Sequence, residues 1–421
     1  MVHNTEDQSP IGQCEGAEPF LTLSLTDEAV EAGFDTAFQV VGVFELSLYN
    51  MLPQVILSHL GSIGEVASTW LSENGYLSTQ CPPLPKGNIN YDIYMGYPEM
   101  FAWDKKRCVA YVSNLYNATV STWDPYKGVV LDTIEFPGLS HAGDSASPNP
   151  LHASGIILRP DAYNPHTLEV VIDNGDAFYS DGFNVSGPDH LMTIDLKTKE
   201  VTNKLRLNNG LYAGYADASL GPDGNTYVLG TYASNILRVT PEKEISTFYV
   251  ADKLEPPRLY GFTGIAHVGN AMIVPDNIIG QLIRFDVRDK VGTPVVIKQT
   301  PYHEFKTANV LHFPERYNDT ILLVAENMTP DHPFGGVSVY QDKTQQFNEV
   351  EFLGFLPSRL QNALTTSARQ MTDRIYVVAL PTDGANITVA GKSSRFEFQD
   401  ITEELDLMIH PKSEGEVRDE I

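Results

Sequence analysis

Three carboxylates and one imidazole carry most of the chemistry this sequence could perform. Asp173 and Asp176 stand in the run Asp173-Asn-Gly-Asp176-Ala-Phe-Tyr179, Asp217 in Gly214-Tyr-Ala-Asp217, and His152 just after Pro150. Carboxyl groups displaced from their ordinary pKa by burial and by each other can act as a matched proton donor and acceptor. One would protonate a leaving hydroxyl while the other takes the proton of an attacking one, with His152 as the alternative partner. Tyr212, Tyr215, Tyr260 and Phe262 precede two apolar runs and supply an aromatic wall; Asn277 and Glu326 supply polar contacts to a bound molecule. In a second reading, Asp173, Asp217, Asp276, Asn277 and Glu326 are oxygen ligands of a hard cation such as Ca²⁺. No spacing here matches a dedicated ion loop, so no cofactor is expected. In the plainest reading these Asp and Asn residues cap turns at strand ends. His141, His166, His303 and His312 read as ordinary surface or core histidines. No G-x-S-x-G elbow, P-loop or dinucleotide fingerprint occurs.

Something must bring these scattered residues together, and the stretch Gly214–Val250 shows what. Four short β-branched and aromatic runs separated by Gly, Pro, Asn and Asp make an antiparallel meander. Such a unit cannot bury both faces alone and needs neighbours like itself. Its second strand, Thr226–Thr231, recurs as Val109–Asn114, Leu168–Asp173, Ala271–Asp276, Ile321–Glu326 and Ile375–Leu380, at blade-repeat spacing. Third strands are expected at Thr119–Trp123, Leu191–Leu196, Ile236–Val239, Leu282–Val287, Val337–Tyr340 and Ile387–Ala390. First strands precede, the weakest near Phe101. The fold class is therefore all-β, a six-bladed propeller over residues 81–402, with Ile89–Tyr94 as the strand that closes the ring against the last blade. A pair of β-sandwiches fits six similar units badly. Residues 1–80 differ and read as a partly helical or poorly ordered extension; Phe38–Ile63 is apolar but broken by Glu45, Asn50, Pro53 and His59, a poor bilayer span. Residues 403–421 read as a solvated acidic tail. In a propeller the innermost strands begin at the mouth reached by the loops between second and third strands. The long loops Asp173–Asp189 and Glu326–Gly336 are thus the places to expect binding.

Composition bounds the partners. Asp and Glu number 54 against 28 Lys and Arg, a net charge of −26. Such a surface repels phosphate backbones and anionic lipid, so the expected partner is a small molecule, with neither nucleic acid nor membrane, and the chain is expected to be a monomer. The three cysteines, Cys14, Cys81 and Cys108, show no metal spacing; Cys81 and Cys108 could form a disulfide, and free buried thiols are the alternative. Sequons at Asn117, Asn184, Asn318, Asn327 and Asn386 point to glycosylation and secretion. The polar start, Met1-Val-His-Asn-Thr-Glu-Asp, lacks a signal peptide's apolar core and points instead to the cytoplasm.

Several stretches together carry a family likeness: Cys81-Pro-Pro-Leu-Pro-Lys-Gly-Asn-Ile-Asn-Tyr91, Asp124-Pro-Tyr-Lys127, Ile134-Glu-Phe-Pro-Gly138, Gly175-Asp-Ala-Phe178, Asn184-Val-Ser-Gly187 and Gly230-Thr-Tyr-Ala-Ser-Asn-Ile-Leu-Arg-Val239. Over about residues 81–400 the chain resembles the fungal proteins typified by the fourteenth protein of the trichothecene toxin gene cluster. The resemblance implies a six-bladed propeller distantly similar to gluconolactonase-type and strictosidine-synthase-type propellers. It also implies a place in fungal specialised metabolism and plant virulence, and a secretory signal directly before the Cys-Pro-Leu-Pro stretch, where residues 1–80 stand here. By the same resemblance the activity would be closure of an oxygen ring on a terpenoid alcohol. A metal-dependent lactonase or esterase and a non-catalytic secreted binding protein are the alternatives.

Overall fold

The computed structural model describes residues 81–143, 150–160, 166–208, 213–232, 234–251, 260–383 and 389–411. The expectations for residues 1–80, including the helix start at Thr26 and the apolar stretch Phe38–Ile63, lie outside these. No helix among the described residues is long and apolar enough to cross a membrane.

The chain forms a six-bladed β-propeller. A short strand β1 (Ile89–Asp92) comes first. Blade one follows with β2 (Pro98–Asp104), β3 (Val109–Asn114), β4 (Thr119–Asp124) and β5 (Val129–Glu135). Blade two has β6 (Leu151–Leu158), β7 (Thr167–Asn174), β8 (His190–Asp195) and β9 (Glu200–Arg206). A five-residue helix, α1 (Gly175–Tyr179), follows β7. Blade three has β10 (Ala213–Leu220), β11 (Thr226–Tyr232), β12 (Asn235–Val239) and β13 (Ile245–Val250). Blade four has β14 (Ala266–Val268), β15 (Ala271–Asp276), β16 (Gln281–Asp286) and β17 (Val295–Val296). Blade five has an extra outer strand β18 (Lys298–Thr300), then β19 (Ala308–His312), β20 (Ile321–Glu326), β21 (Gly336–Gln341) and β22 (Glu349–Pro357). Blade six has β23 (Ala363–Met371), β24 (Arg374–Pro381) and β25 (Arg395–Asp400), and α2 (Thr402–Ile409) comes last.

The second strands are apolar through their middles because they are buried on both faces, and β3, β7, β11 and β20 are buried throughout, with polar residues mostly at their ends. Outer strands alternate: β5 and β9 show every second residue to solvent. The core lies between blades, as in the cluster of Met100, Val120, Phe136, Ile156, Val170 and Met192 that joins blades one and two. Ring closure is made by β1, which pairs antiparallel with β25 from Ile89↔Phe398 to Asp92↔Arg395. Tyr91, at the centre of β1, is fully buried against Trp123, Phe396 and Phe398. A disulfide joins Cys81 to Cys108, at the turn between β2 and β3.

Two expectations need correcting. The third strand of blade six is β25, not Ile387–Ala390: residues 384–388 lie outside those described, and Val389 and Ala390 carry no strand. Arg395-Phe-Glu-Phe-Gln-Asp alternates charge with aromatics, a weaker signal in the sequence than the short apolar run before it. The acidic end also opens as a helix, α2, because every third or fourth residue is apolar. Leu405 is fully buried, while Glu403 and Glu404 sit in the helix's first turn, where negative charge is favoured.

Candidate functional site

The innermost strands β2, β6, β10, β14, β19 and β23 stand around the central channel, and their first residues meet at one mouth. That mouth holds a cavity of about 400 Å³. Its wall is largely apolar: Met100, Leu115, Tyr116, Phe178, Tyr260, Val310, Met328, Leu364 and Leu380. Its polar groups are few: Glu99, His152, Ser154, Asp173, Asn309 and Asn327, with threonines at the rim. A concave apolar site with a small convergent polar set is the usual form of a small-molecule pocket.

Asp173 reaches this cavity from the end of β7, directly opposite His152 on β6. It is fully buried and accepts a hydrogen bond from Ser154 Oγ at Oδ1, while Oδ2 has no partner among the described residues. Burial pushes its carboxyl up to about 7. Glu99, at the start of β2, comes from the other side. Its side chain is walled in by protein yet keeps surface toward the cavity. Burial first, then the Asp173 charge, pushes it up to about 8, against a hydrogen bond from Asn309. Its backbone carbonyl is fixed by Thr366 Oγ1 (2.7 Å) and Ser367 Oγ (3.2 Å), so blade six sets the position of blade one's acid. His152 Nδ1 lies 4.0 Å from Asp173 Oδ2, beyond hydrogen-bond reach, and Nε2 has no partner among the described residues. Burial holds this imidazole down to about 3, so at neutral pH it is an uncharged ring and a poor proton donor.

Two glycines allow this arrangement. A Cβ on Gly175 would lie 2.6 Å from the His152 ring, and one on Gly155 would lie 2.8 Å from the Asp217 backbone. Both positions hold neighbouring segments closer than any side chain permits.

The other expected site residues are dispersed. Asp217 lies deeper in the channel, with Oδ1 taken by the Ala218 amide (2.8 Å) and Oδ2 by the Ile265 amide (3.1 Å). Burial raises it to about 6, with Arg369 pulling the other way. Asp176 sits in the first turn of α1, half-buried and off the cavity wall, with Asn184 Nδ2 at 3.4 Å. Tyr260 does line the cavity. Tyr215 and Phe262 are instead packed between blades, in separate core clusters. Tyr212 lies outside the described residues. Asn277 spans backbone groups of Gly261 and Ala308, and Glu326 binds His303 and Ser338; both satisfy their own loops. Among the sequons, Asn318 is exposed, Asn184 and Asn117 are half-buried, and Asn386 lies outside the described residues. Asn327 lines the cavity and gives its amide to the Thr365 carbonyl (2.9 Å). Glu99 is the acid that sequence reasoning missed. It stands on the blade-one strand with the weakest pattern, and only its chain position, at the start of an innermost strand, could have pointed to it.

Two proteins match this chain along their whole length. Core trichothecene cluster protein 14 of Fusarium sporotrichioides is 89% identical over 373 residues, 88% of this chain and 100% of the relative. Trichothecene biosynthesis protein 14 of Trichoderma arundinaceum is 64% identical over 363 residues, 85% of this chain and 100% of the relative. The chain belongs to the trichothecene cluster protein 14 family. No general family model matches it. The fold of this family member is shared with the allergen Mala s 1 of Malassezia sympodialis, at a TM-score of 0.63 and 18% identity over 76% of this chain and 96% of that one.

In the second reading of the sequence the acids Asp173, Asp217, Asp276 and Glu326 hold a divalent cation. Among the described residues no three His, Cys, Asp or Glu side chains converge as ligands.

Proposed function

We propose that this chain serves trichothecene mycotoxin biosynthesis by binding an apolar, hydroxyl-bearing terpenoid in the mouth of the channel and promoting its ring closure by acid/base chemistry. Family membership supports the pathway. The observation that carries the reaction is the pair Glu99 and Asp173: two carboxyl groups on one apolar cavity, held at about 8 and about 7.

At neutral pH Glu99 retains its proton while Asp173 is partly ionised. Glu99 gives its proton to a departing hydroxyl as the carbon–oxygen bond breaks, and water leaves. A second hydroxyl of the same molecule forms the new carbon–oxygen bond, and its proton passes to Asp173. The net change is loss of one water; the two acids then re-equilibrate their protons through solvent. The apolar wall of Leu115, Phe178, Tyr260 and Leu364 keeps bulk water from competing for the reacting carbon and holds the chain folded on itself, which is where most of an intramolecular advantage arises.

The test uses the alcohol that accumulates when the gene is deleted. Incubated with the purified protein, it should lose one water, seen by mass spectrometry. Glu99→Gln and Asp173→Asn should each slow turnover by roughly 10²–10⁴-fold. If both variants turn over as the parent does, the acid/base reading is wrong. If the alcohol is bound but never converted by any form, the site is a binding site alone.

A further inference from the structure

The channel has a second mouth, at the far ends of the same innermost strands, and it is built differently. A cavity of about 310 Å³ opens there between Trp103, Ser219, His267, His312, Glu315 and Arg369. We propose that this mouth is a binding site for a small oxyanion, a carboxylate or phosphate group, seated on Arg369 with His267 and His312 as neutral donors.

Arg369 is an obligate cation without an adequate protein partner. Among the described residues its one hydrogen bond goes from Nη2 to the thioether of Met100 (3.3 Å), a weak acceptor, and Nε has no partner. Asp217, the carboxylate that feels its charge, has both oxygens committed to the Ala218 and Ile265 amides and forms no ion pair with it. Burial makes such a charge costly unless something pairs with it. The planar guanidinium is suited to an anion with two oxygens.

The two imidazoles complete a donor set. His312 Nε2 accepts the Gln370 amide N–H (3.1 Å), so in the neutral ring the proton is on Nδ1. His267 Nδ1 meets Ser219 Oγ at 2.8 Å, and Nε2 has no partner among the described residues. Accepting the serine hydroxyl at Nδ1 leaves the proton on Nε2. Burial keeps both rings uncharged, with the Arg369 charge adding to that effect at His312. The remaining charges on this wall, Lys105 and Glu315, are paired with each other. The mouth therefore offers an arginine with no direct carboxylate contact, beside two uncharged imidazoles, in a chain whose net charge is −26.

The full chain is titrated with sodium phosphate and, separately, sodium acetate, each against sodium chloride at matched ionic strength, following thermal unfolding and the heat of binding. At least one oxyanion should bind saturably and raise the unfolding temperature where chloride does not. Which of the two binds more tightly identifies the group the site prefers. Arg369→Gln should weaken that binding by about tenfold or more, and Arg369→Lys, which keeps the charge and loses the planar donors, by a smaller factor. His312→Gln, a milder change, gives the same test should the arginine variants fold poorly. Glu99→Gln, at the other mouth, should leave the affinity unchanged. No saturable binding of either oxyanion overturns the proposal, as does binding that survives in both Arg369→Gln and His312→Gln. The ring-closure reading stands or falls separately, since neither Glu99 nor Asp173 touches this cavity.

Discussion

At the scale of single residues, two acids share one apolar space, and burial pushes both carboxyls up. In the proposed reaction Glu99, pushed up to about 8, is the proton donor and Asp173, pushed up to about 7, is the acceptor. The productive form has Glu99 protonated and Asp173 ionised. It is depleted below about pH 7 as Asp173 takes a proton and above about pH 8 as Glu99 loses its own. The pH–rate profile should therefore be a bell centred between those values, with the two limbs belonging to the pair. Asp173→Asn should remove the acid limb from whatever activity remains. The same shifts enter stability. A carboxyl whose folded pKa lies above its unfolded value contributes stability that is fully present below the unfolded value and is lost as pH rises through the folded one. Glu99 should thus weaken the fold progressively as pH rises from about 4.5 to about 8, and Glu99→Gln should flatten the decline in denaturation midpoint over that range. The buried His152, His190 and His267, held at about 3 to 4, act in the opposite sense and lose stability as pH falls toward those values. Asp173 was legible in the sequence because it ends a strongly apolar second strand on a long loop. Asp217 and Asn277 looked equivalent, yet their side chains are consumed by local backbone amides. Type and position in the chain are visible in a sequence; where the second oxygen of a carboxylate points is not.

At the scale of elements, the site is a consequence of how strands begin. All six innermost strands start at the same mouth, so His152, Glu99 and Asn309 converge from blades that are far apart in sequence. Second strands, buried on both faces, were easy to locate by their apolar middles; β25, alternating charge with Phe396 and Phe398, was not, because it lies nearer the outside of its blade with β1 covering it. Near the cavity β6 approaches β10 too closely for a side chain between them. Gly155 has no room for a Cβ, since the nearest atoms are the Asp217 Cα at 2.8 Å and the Ala218 nitrogen at 3.0 Å, backbone that cannot swing aside. Gly155→Val should destabilise the protein by about 1–3 kcal/mol through forced separation of the two strands. Ser154 is the neighbouring residue and donates to Asp173, so ring-closure activity should fall further than stability alone accounts for. Denaturant titration and turnover of the same preparation separate the two effects; unchanged activity in a destabilised variant would mean the acid pair tolerates movement of β6.

At the scale of the whole molecule, six blades matter less than the single seam that makes them a ring. Blade six takes its outermost strand from the start of the propeller, so β1 joins the two ends of the domain, and Thr366 and Ser367 of blade six also hold Glu99 in place. Tyr91 is the anchor of that seam. Its ring is fully buried, it meets Trp123 edge-on at 5.5 Å, and its hydroxyl donates to Asn114 Oδ1 at 2.7 Å, which links β1 to blade one as well as blade six. Tyr91→Ala should cost about 3–5 kcal/mol by loss of packing. Loss of packing anywhere in the core would do as much, so a control of the same kind is needed. Tyr340 is equally buried in blade five, away from the seam. If the seam is what closes the ring, Tyr91→Ala should also free the edge of β25 and self-associate under native conditions, because an unpaired strand edge recruits another. Tyr340→Ala should lose comparable stability and stay monodisperse. Size-exclusion chromatography of both variants at matched fractions folded decides it: equal behaviour would show that β1 rides on a ring already held shut by the blades themselves.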